Sequence, residues 1–306
     1  MKYVIETESL SKKYGDRNAV DKVSIHVPEG KIYGLLGRNG AGKTTLMKML
    51  LNLIHNDGGR IYLLGKEQEK DLDSVYGNVG SIIETPGFYE NLTGSENLRI
   101  IAMLRGIKGT EAVDKALAFV GLDKERKKVF GDYSLGMKQR LGIAAAVMHN
   151  PKVLILDEPI NGLDPIGIQE IRKFLLELAR DKGTTILISS HVLSEIEQIS
   201  DIIGVMHQGR LVEETNLSDL RQSLERYVDF TLSDTEKGSL FLKGRIPEKD
   251  FAIRENNVLR IRNHINGRGE FNKLFVEGGL QVTDIKVAEE SLEDYFKDLI
   301  GGGTIG

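Results

Sequence analysis

An α/β fold, with a mostly parallel sheet, a helical insertion and a small C-terminal α+β unit, is what this 306-residue chain predicts. Three observations carry that reading. A glycine-rich segment, residues 37–44, stands between an apolar strand (31–36) and a stripe of helical period. Apolar runs at 153–156, 184–190 and 202–206 alternate with a helical pattern at 168–179, and buried strands alternating with helices mean a parallel sheet covered on both faces. The texture then changes near residues 214–223, leaving some 85 residues of short strands and helices, and the length suits about two domains of roughly 150 residues.

Residues 2–6 and 20–27 alternate as short strands, and Pro28-Glu29-Gly30 is a turn before the strand at 31–36. Leu46, Met49, Leu50, Leu53 and Ile54 follow at i, i+3, i+4, i+7 and i+8, the apolar stripe of a helix. From about 87 to 136 the pattern is helical and poor in strands, with helices at 96–104 and 111–120 and a solvated basic turn at 124–128. We place the domain boundary at 216/217. Beyond it, strands are expected at 227–232, 258–262 and 280–287, helices at 270–276 and 292–300, and a frayed GGGTIG end.

Composition removes several function classes. Apolar residues are 40% and charged residues 28%, a globular balance, and no run approaches the ~18 apolar residues of a membrane span. MKYVIETESL lacks the basic segment and apolar stretch of a secretory leader, so a cytosolic chain without direct membrane insertion is expected. There is no cysteine, hence no disulfide, thiolate nucleophile or sulfur-held zinc. With 41 basic and 45 acidic residues the chain lacks the basic excess of a phosphate-backbone binder, and nucleic acid is not an expected partner. The six histidines form no H-x-x-x-H pair and no G-x-S-x-G occurs, which removes a zinc-protease helix and a nucleophile elbow.

Gly37-Arg38-Asn39-Gly40-Ala41-Gly42-Lys43-Thr44 fits G-x-x-x-x-G-K-[ST] in the strand-to-helix context that motif requires. Its glycines let backbone N–H groups curl around phosphate oxygens, and the helix N-terminus adds partial positive charge. Lys43 is positioned for the β- and γ-phosphates and Thr44 for Mg²⁺, with Thr45 in the same phosphate-binding set. The apolar strand at 153–156 runs into Asp157 and Glu158, and two acids at a buried strand's exit are costly unless used. Asp157 is expected to hold Mg²⁺ and Glu158 to act as general base on a water.

With these residues on the page, the sequence resembles the nucleotide-binding subunits of ABC transporters. Tyr133-Ser134-Leu135-Gly136-Met137-Lys138-Gln139-Arg140 lies 23 residues before Asp157, where that family carries its signature, and Ser134 and Gly136 match it. Taken alone, the segment reads as a serine helix cap. Asn161-Gly162-Leu163-Asp164 follows the acidic pair as the family's D-loop does, and His191 stands at the family's switch histidine. Tyr14 matches the aromatic that stacks on adenine, or else simply closes a strand edge. Glu84 replaces the family's Q-loop glutamine; it either holds Mg²⁺ or caps the turn before Pro86 and faces a membrane partner.

Residues 82–89 (IIETPGFY), with the YSLGM signature, are similar to the branch that exports bacitracin and confers lantibiotic immunity, and Ser291-Leu292-Glu293-Asp294-Tyr295-Phe296 to the tail of drug-export ATPases. The resemblance implies ATP and Mg²⁺ as cofactors and a homodimer that sandwiches two ATP head to tail. It also implies a membrane-spanning permease as partner, at the inner face of the cell membrane. An importer subunit and a soluble, non-transport ABC ATPase are the alternatives.

Overall fold

The computed structural model describes residues 2–68, 75–84, 87–224 and 226–299, in two compact units that divide between Ser218 and Asp219. The expectations for Pro86, for Ile300 and for residues 301–306 lie outside the described residues.

The first unit is built on a six-stranded sheet in the order β11-β10-β4-β9-β8-β7. Its strands are β4 (Ile32–Leu36), β7 (Val79–Ile82), β8 (Val153–Leu156), β9 (Thr185–Ser190), β10 (Ile202–His207) and β11 (Arg210–Asn216). All pairings are parallel except that of β11 with β10. β4, β8 and β9 are buried at every residue, as an apolar strand covered on both faces must be. Helices α1 (Lys43–Leu50), α5 (Pro165–Lys182) and α6 (Leu193–Glu197) join the strands. α1 ends earlier than the stripe predicts: Asn52 adopts φ 55, a left-handed residue that stops the helix, and Leu53 is 60% exposed. Ile54 still packs against the core.

A second, antiparallel sheet was not expected. It runs β2-β1-β5-β6, with β3 also on β1, from β1 (Tyr3–Tyr14), β2 (Arg17–Val23), β3 (His26–Pro28), β5 (Gly58–Leu63) and β6 (Lys66–Glu67). The single strand expected at 20–27 is thus two. Buried Thr7 bridges the break, donating from Oγ1 to Val23 O (3.0 Å) and accepting from Ile25 N (2.9 Å). The helical insertion holds α2 (Gly94–Leu104), α3 (Glu111–Phe119) and α4 (Leu135–Val147). Thr93 and Glu96 close a reciprocal capping box on α2, which holds the Glu96 carboxyl below its usual range through the Thr93 N–H and hydroxyl.

α7 (Leu217–Ser223) spans the division. The second unit is an antiparallel sheet, β13-β14-β12-β15, from β12 (Arg226–Leu232), β13 (Phe251–Arg254), β14 (Val258–Arg262) and β15 (Val282–Glu289). Helices α8 (Thr235–Leu242) and α9 (Arg268–Glu277) contribute Leu242 and Phe275 to a core with Val228, Phe230, Leu259 and Ile261. α10 (Leu292–Leu299) buries Leu292 and Phe296. α8 and β13 were not anticipated, and β15 begins at Val282 rather than 280.

Candidate functional site

Because β4, β9, β8 and β7 are adjacent and parallel, their C-terminal ends open on one edge of the sheet. Leu36 pairs with Ser190, Leu156 with Ile188 and Ile82 with Leu156. The segments that follow are therefore brought together: 37–44 after β4, Asp157-Glu158 after β8, His191 after β9 and Glu84 after β7. Two backbone bonds key them, Gly37 N to Ser190 O (3.3 Å) and Asp157 N to Ile82 O (2.8 Å).

The 37–44 loop demands its glycines. Gly42 caps α1 at φ 109, and a Cβ there would lie 2.4 Å from Ala19 O; one on Gly37 would meet Met206 O at 2.6 Å. Beside the loop lies a cleft of about 630 Å³ lined by Arg17, Arg38, Asn39, Gly40, His191 and His207 among others, with no carboxylate in its lining. Arg17, from the β1–β2 hairpin, is fixed by donating to Gly40 O (3.0 Å). Lys43 is 4% exposed, and its Nζ donates to Gly37 O (2.5 Å) and lies 3.3 Å from Glu158 Oε1. A buried ammonium cradled by loop carbonyls and one carboxylate can exchange them for anionic oxygens.

Three of the expected residues are wired through one that the sequence did not flag. Thr44 Oγ1 donates to Asp157 Oδ2 (2.7 Å). Fully buried Ser189 donates to Asp157 Oδ1 (2.6 Å) and accepts from Glu158 N (2.9 Å). The Glu158 carboxylate meets His191 Nδ1 at 2.8 Å and accepts from Asn161 Nδ2 (3.2 Å). Glu158 itself adopts φ 46, a left-handed conformation that costs a residue with a Cβ about 1–2 kcal/mol. Ser190 bonds Glu195 (2.7 Å) and accepts from Val192 N (3.0 Å), which sets the turn carrying His191. A polar pair ending an otherwise apolar strand, Ser189-Ser190, was the available signal.

The remaining candidates sit differently. Glu84, at φ 58, is largely exposed and pairs with Lys48 Nζ (2.6 Å), one turn along α1 from Thr44. Tyr14 is 52% exposed at the end of β1, opposite Arg17, with Lys12 Nζ 5.7 Å from its ring centre. Ser134 caps α4 by accepting from Met137 N (3.3 Å), and Asp164 caps α5 by accepting from Gly167 N (2.9 Å). The signature and D-loop pack on each other, a Cβ on Gly136 lying 3.8 Å from Leu163 and one on Gly162 3.0 Å from Leu135. Neither Ser134 nor Gly136 lines the cleft beside the 37–44 loop. Thr45 continues α1 behind Thr44, half-buried.

No group of three or more His, Asp or Glu among the described residues could by itself hold a metal ion. The pairing of Thr44 with Asp157 suits a hard divalent cation that takes most of its oxygens from phosphate and water.

Comparison with known proteins places the chain in a family. Residues 20–161 match the ABC transporter family. A bacitracin transport ATP-binding protein, BcrA, of Enterococcus faecalis is 57% identical over 305 residues, covering 100% of this chain and 99% of that one. The chain belongs to the ABC transporter ATP-binding family. A lantibiotic transport ATP-binding protein, SrtF, of Streptococcus pyogenes is 43% identical over 212 residues, 69% of this chain and 90% of that protein. A solved ATP-binding subunit of an ABC transporter superposes with a TM-score of 0.64 at 32% identity, covering 72% of this chain and 92% of its own. The mixed α/β fold is thus that of an ABC ATPase cassette with a P-loop NTPase core. No helix among the described residues is long and apolar enough to cross a membrane.

Proposed function

We propose that this ABC subunit hydrolyses ATP to drive a separate membrane permease that exports an antimicrobial peptide of the bacitracin or lantibiotic type. The observation that carries the reading is the meeting of Lys43, the Thr44–Asp157 pair and the Glu158–His191 pair on one sheet edge. The names of relatives spanning the whole chain point to the cargo.

The phosphate chain of ATP lies along 37–42, where backbone N–H groups and the start of α1 receive it. Lys43 leaves Gly37 O and Glu158 for the β- and γ-phosphate oxygens. That exchange frees Glu158, which His191 and Asn161 then hold in place. Glu158 accepts a proton from the attacking water as the water oxygen bonds to the γ-phosphorus and the ADP oxygen leaves. Thr44 and Asp157 would hold Mg²⁺, with Glu84 a further candidate, and the ion supplies neutralisation of developing phosphate charge. Tyr14 stacks on adenine. Ser134, Gly136 and Asp164 serve the opposite protomer in a head-to-tail homodimer that encloses two ATP. Residues 1–216 act as the nucleotide-binding domain and 217–306 as an accessory domain. The subunit works at the cytoplasmic face of the membrane through its permease.

Glu158→Gln tests the reading. ATP binding and ATP-dependent dimerisation should persist, while hydrolysis falls by about 10²–10⁴-fold, the range for losing a general base. Near-normal turnover removes Glu158 from the chemistry. Co-expression with its permease partner should raise bacitracin or lantibiotic tolerance of a sensitive host; unchanged tolerance to both classes overturns the cargo assignment.

A further inference from the structure

The outer strand of the second unit, β15, is hydrogen-bonded among the described residues on one side only, to β12. It is eight residues long, and residues 283–287 are all exposed, with Ile285 at 39% and Val287 at 48%. Natural edge strands are usually short, bulged or broken by proline; β15 contains no proline, and the one register shift in its ladder with β12 falls at its start, between Val282 and Asp284.

Of its three charges, Glu289 pairs with Arg226 (3.8 Å), and the two on the exposed stretch, Asp284 and Lys286, have no ion-pair partner among the described residues. Asp229 lies across the ladder from Lys286, but Arg260 takes both its oxygens (2.9 and 3.0 Å). Asp284 accepts instead from the N–H of its neighbour Ile285 (2.8 Å). The Ile285 N–H therefore does not serve the β12 ladder and belongs to the open edge. Backbone groups alternate along the regular part of the strand, so those of Val287 share that side.

The strand reads as its own complement. Laid antiparallel on a copy of itself with Ile285 opposite Ile285, Asp284 faces Lys286, Lys286 faces Asp284 and Thr283 faces Val287. The neighbouring registers are worse, because centring on 284 opposes two aspartates and centring on 286 two lysines. Opposite charges directly across a ladder favour pairing, and like charges disfavour it.

We propose that β15 is a self-pairing edge: a second copy of this chain adds there about a two-fold axis at Ile285, extending four strands to eight without nucleotide. An edge this short buries less than the roughly 1,000 Å² of a stable interface, so the association is weak and concentration-dependent. It is separate from the ATP-enclosing dimer and does not rest on that reading.

Because the protein has no cysteine, a single introduced thiol reports the contact. Hydrogen-bonded antiparallel partners have Cα atoms about 5.5 Å apart, within disulfide reach. Full-length Ile285→Cys, mildly oxidised in EDTA without nucleotide, should form a disulfide dimer about tenfold faster than Leu240→Cys, an exposed position on α8 that reports random collision. Adding Lys286→Asp should return the rate to that control. Adding Asp284→Lys together with Lys286→Asp should restore it, because the complement is re-formed with reversed charges. Equal rates for the two cysteines overturn the proposal. So do insensitivity to the charge changes and cross-linking that requires ATP and vanishes with Lys43→Ala.

Discussion

Ser189→Ala is the change that most directly tests how the site is held. The serine hydroxyl donates to the Asp157 carboxylate at 2.6 Å and accepts the Glu158 N–H at 2.9 Å, in a fully buried position. A bond to a charged group contributes about 1.5–3 kcal/mol and a neutral one about 0.5–1.5, so alanine should cost about 2–4 kcal/mol. Asp157 keeps Thr44, but its buried Oδ1 loses the Ser189 donor. Glu158 loses the bond that helps hold its left-handed backbone, so its carboxylate should shift by a fraction of an ångström to 1 Å. Turnover should then fall by about 10–10²-fold, the scale of such misplacements. Urea unfolding followed by far-UV circular dichroism, read beside kcat and KM for ATP, separates the two effects. Ser189→Thr keeps the hydroxyl on a residue suited to a strand and should recover most of both. A Ser189→Ala protein within about 0.5 kcal/mol of the parent and with parental kcat would refute the reasoning.

Three further outcomes are expected. Ser134→Arg should leave ATP binding to the monomer intact, because Lys43 and Thr44 act in cis, yet abolish ATP-dependent dimerisation in size-exclusion chromatography and with it turnover. If Glu84 assists a divalent cation, Glu84→Gln should raise the free Mg²⁺ needed for half-maximal hydrolysis. Lys48→Met, which releases Glu84 from its 2.6 Å pair, should lower it, and no change in either excludes Glu84 as a ligand. Burial, and secondarily the charge of Arg105, lowers the pKa of His149, so the folded ring stays neutral where the unfolded one protonates. Stability should therefore drop as pH falls below about 6.5, and His149→Asn should flatten that slope in urea midpoints compared at pH 7.5 and 5.5.

β4, β8, β9 and β10 were legible because they are largely apolar runs, whereas β7 (VGSI) and β11 were not read, being short or broken by polar residues. The 37–44 loop was legible because few sequences other than a phosphate cradle satisfy strand, glycines, lysine and helix together. The antiparallel sheet was not. β5 reads GGRIYL, two glycines and an arginine in a half-exposed ribbon, and half of β1 faces solvent. The start of α4 was legible in its Ser134 cap but its extent was not, because its apolar residues surround the helix and leave no stripe to find. Glu84 illustrates a different gap. Its place beyond β7 follows from the sheet order, but its partner, Lys48, lies 36 residues away on another element, and only the fold reveals the pair. Ser189 was passed over although the Ser189-Ser190 pair marks the strand's end, since a hydroxyl there shows its worth only through what it touches.

The left-handed backbones of Glu84 and Glu158 set the protein a trade-off between durability and work. Both follow a sheet strand at an abrupt change of direction, and glutamate is a poor choice for that conformation. Glycine or asparagine would occupy it with less strain, and neither could supply a carboxylate. A population selected only for resistance to heat, with no antibiotic to expel, should drift toward those residues at the two positions and lose function as it gained robustness. At Glu158 that strain is the cost of the carboxylate the proposed mechanism uses, and at Glu84 the Mg²⁺ titration above decides whether the same holds.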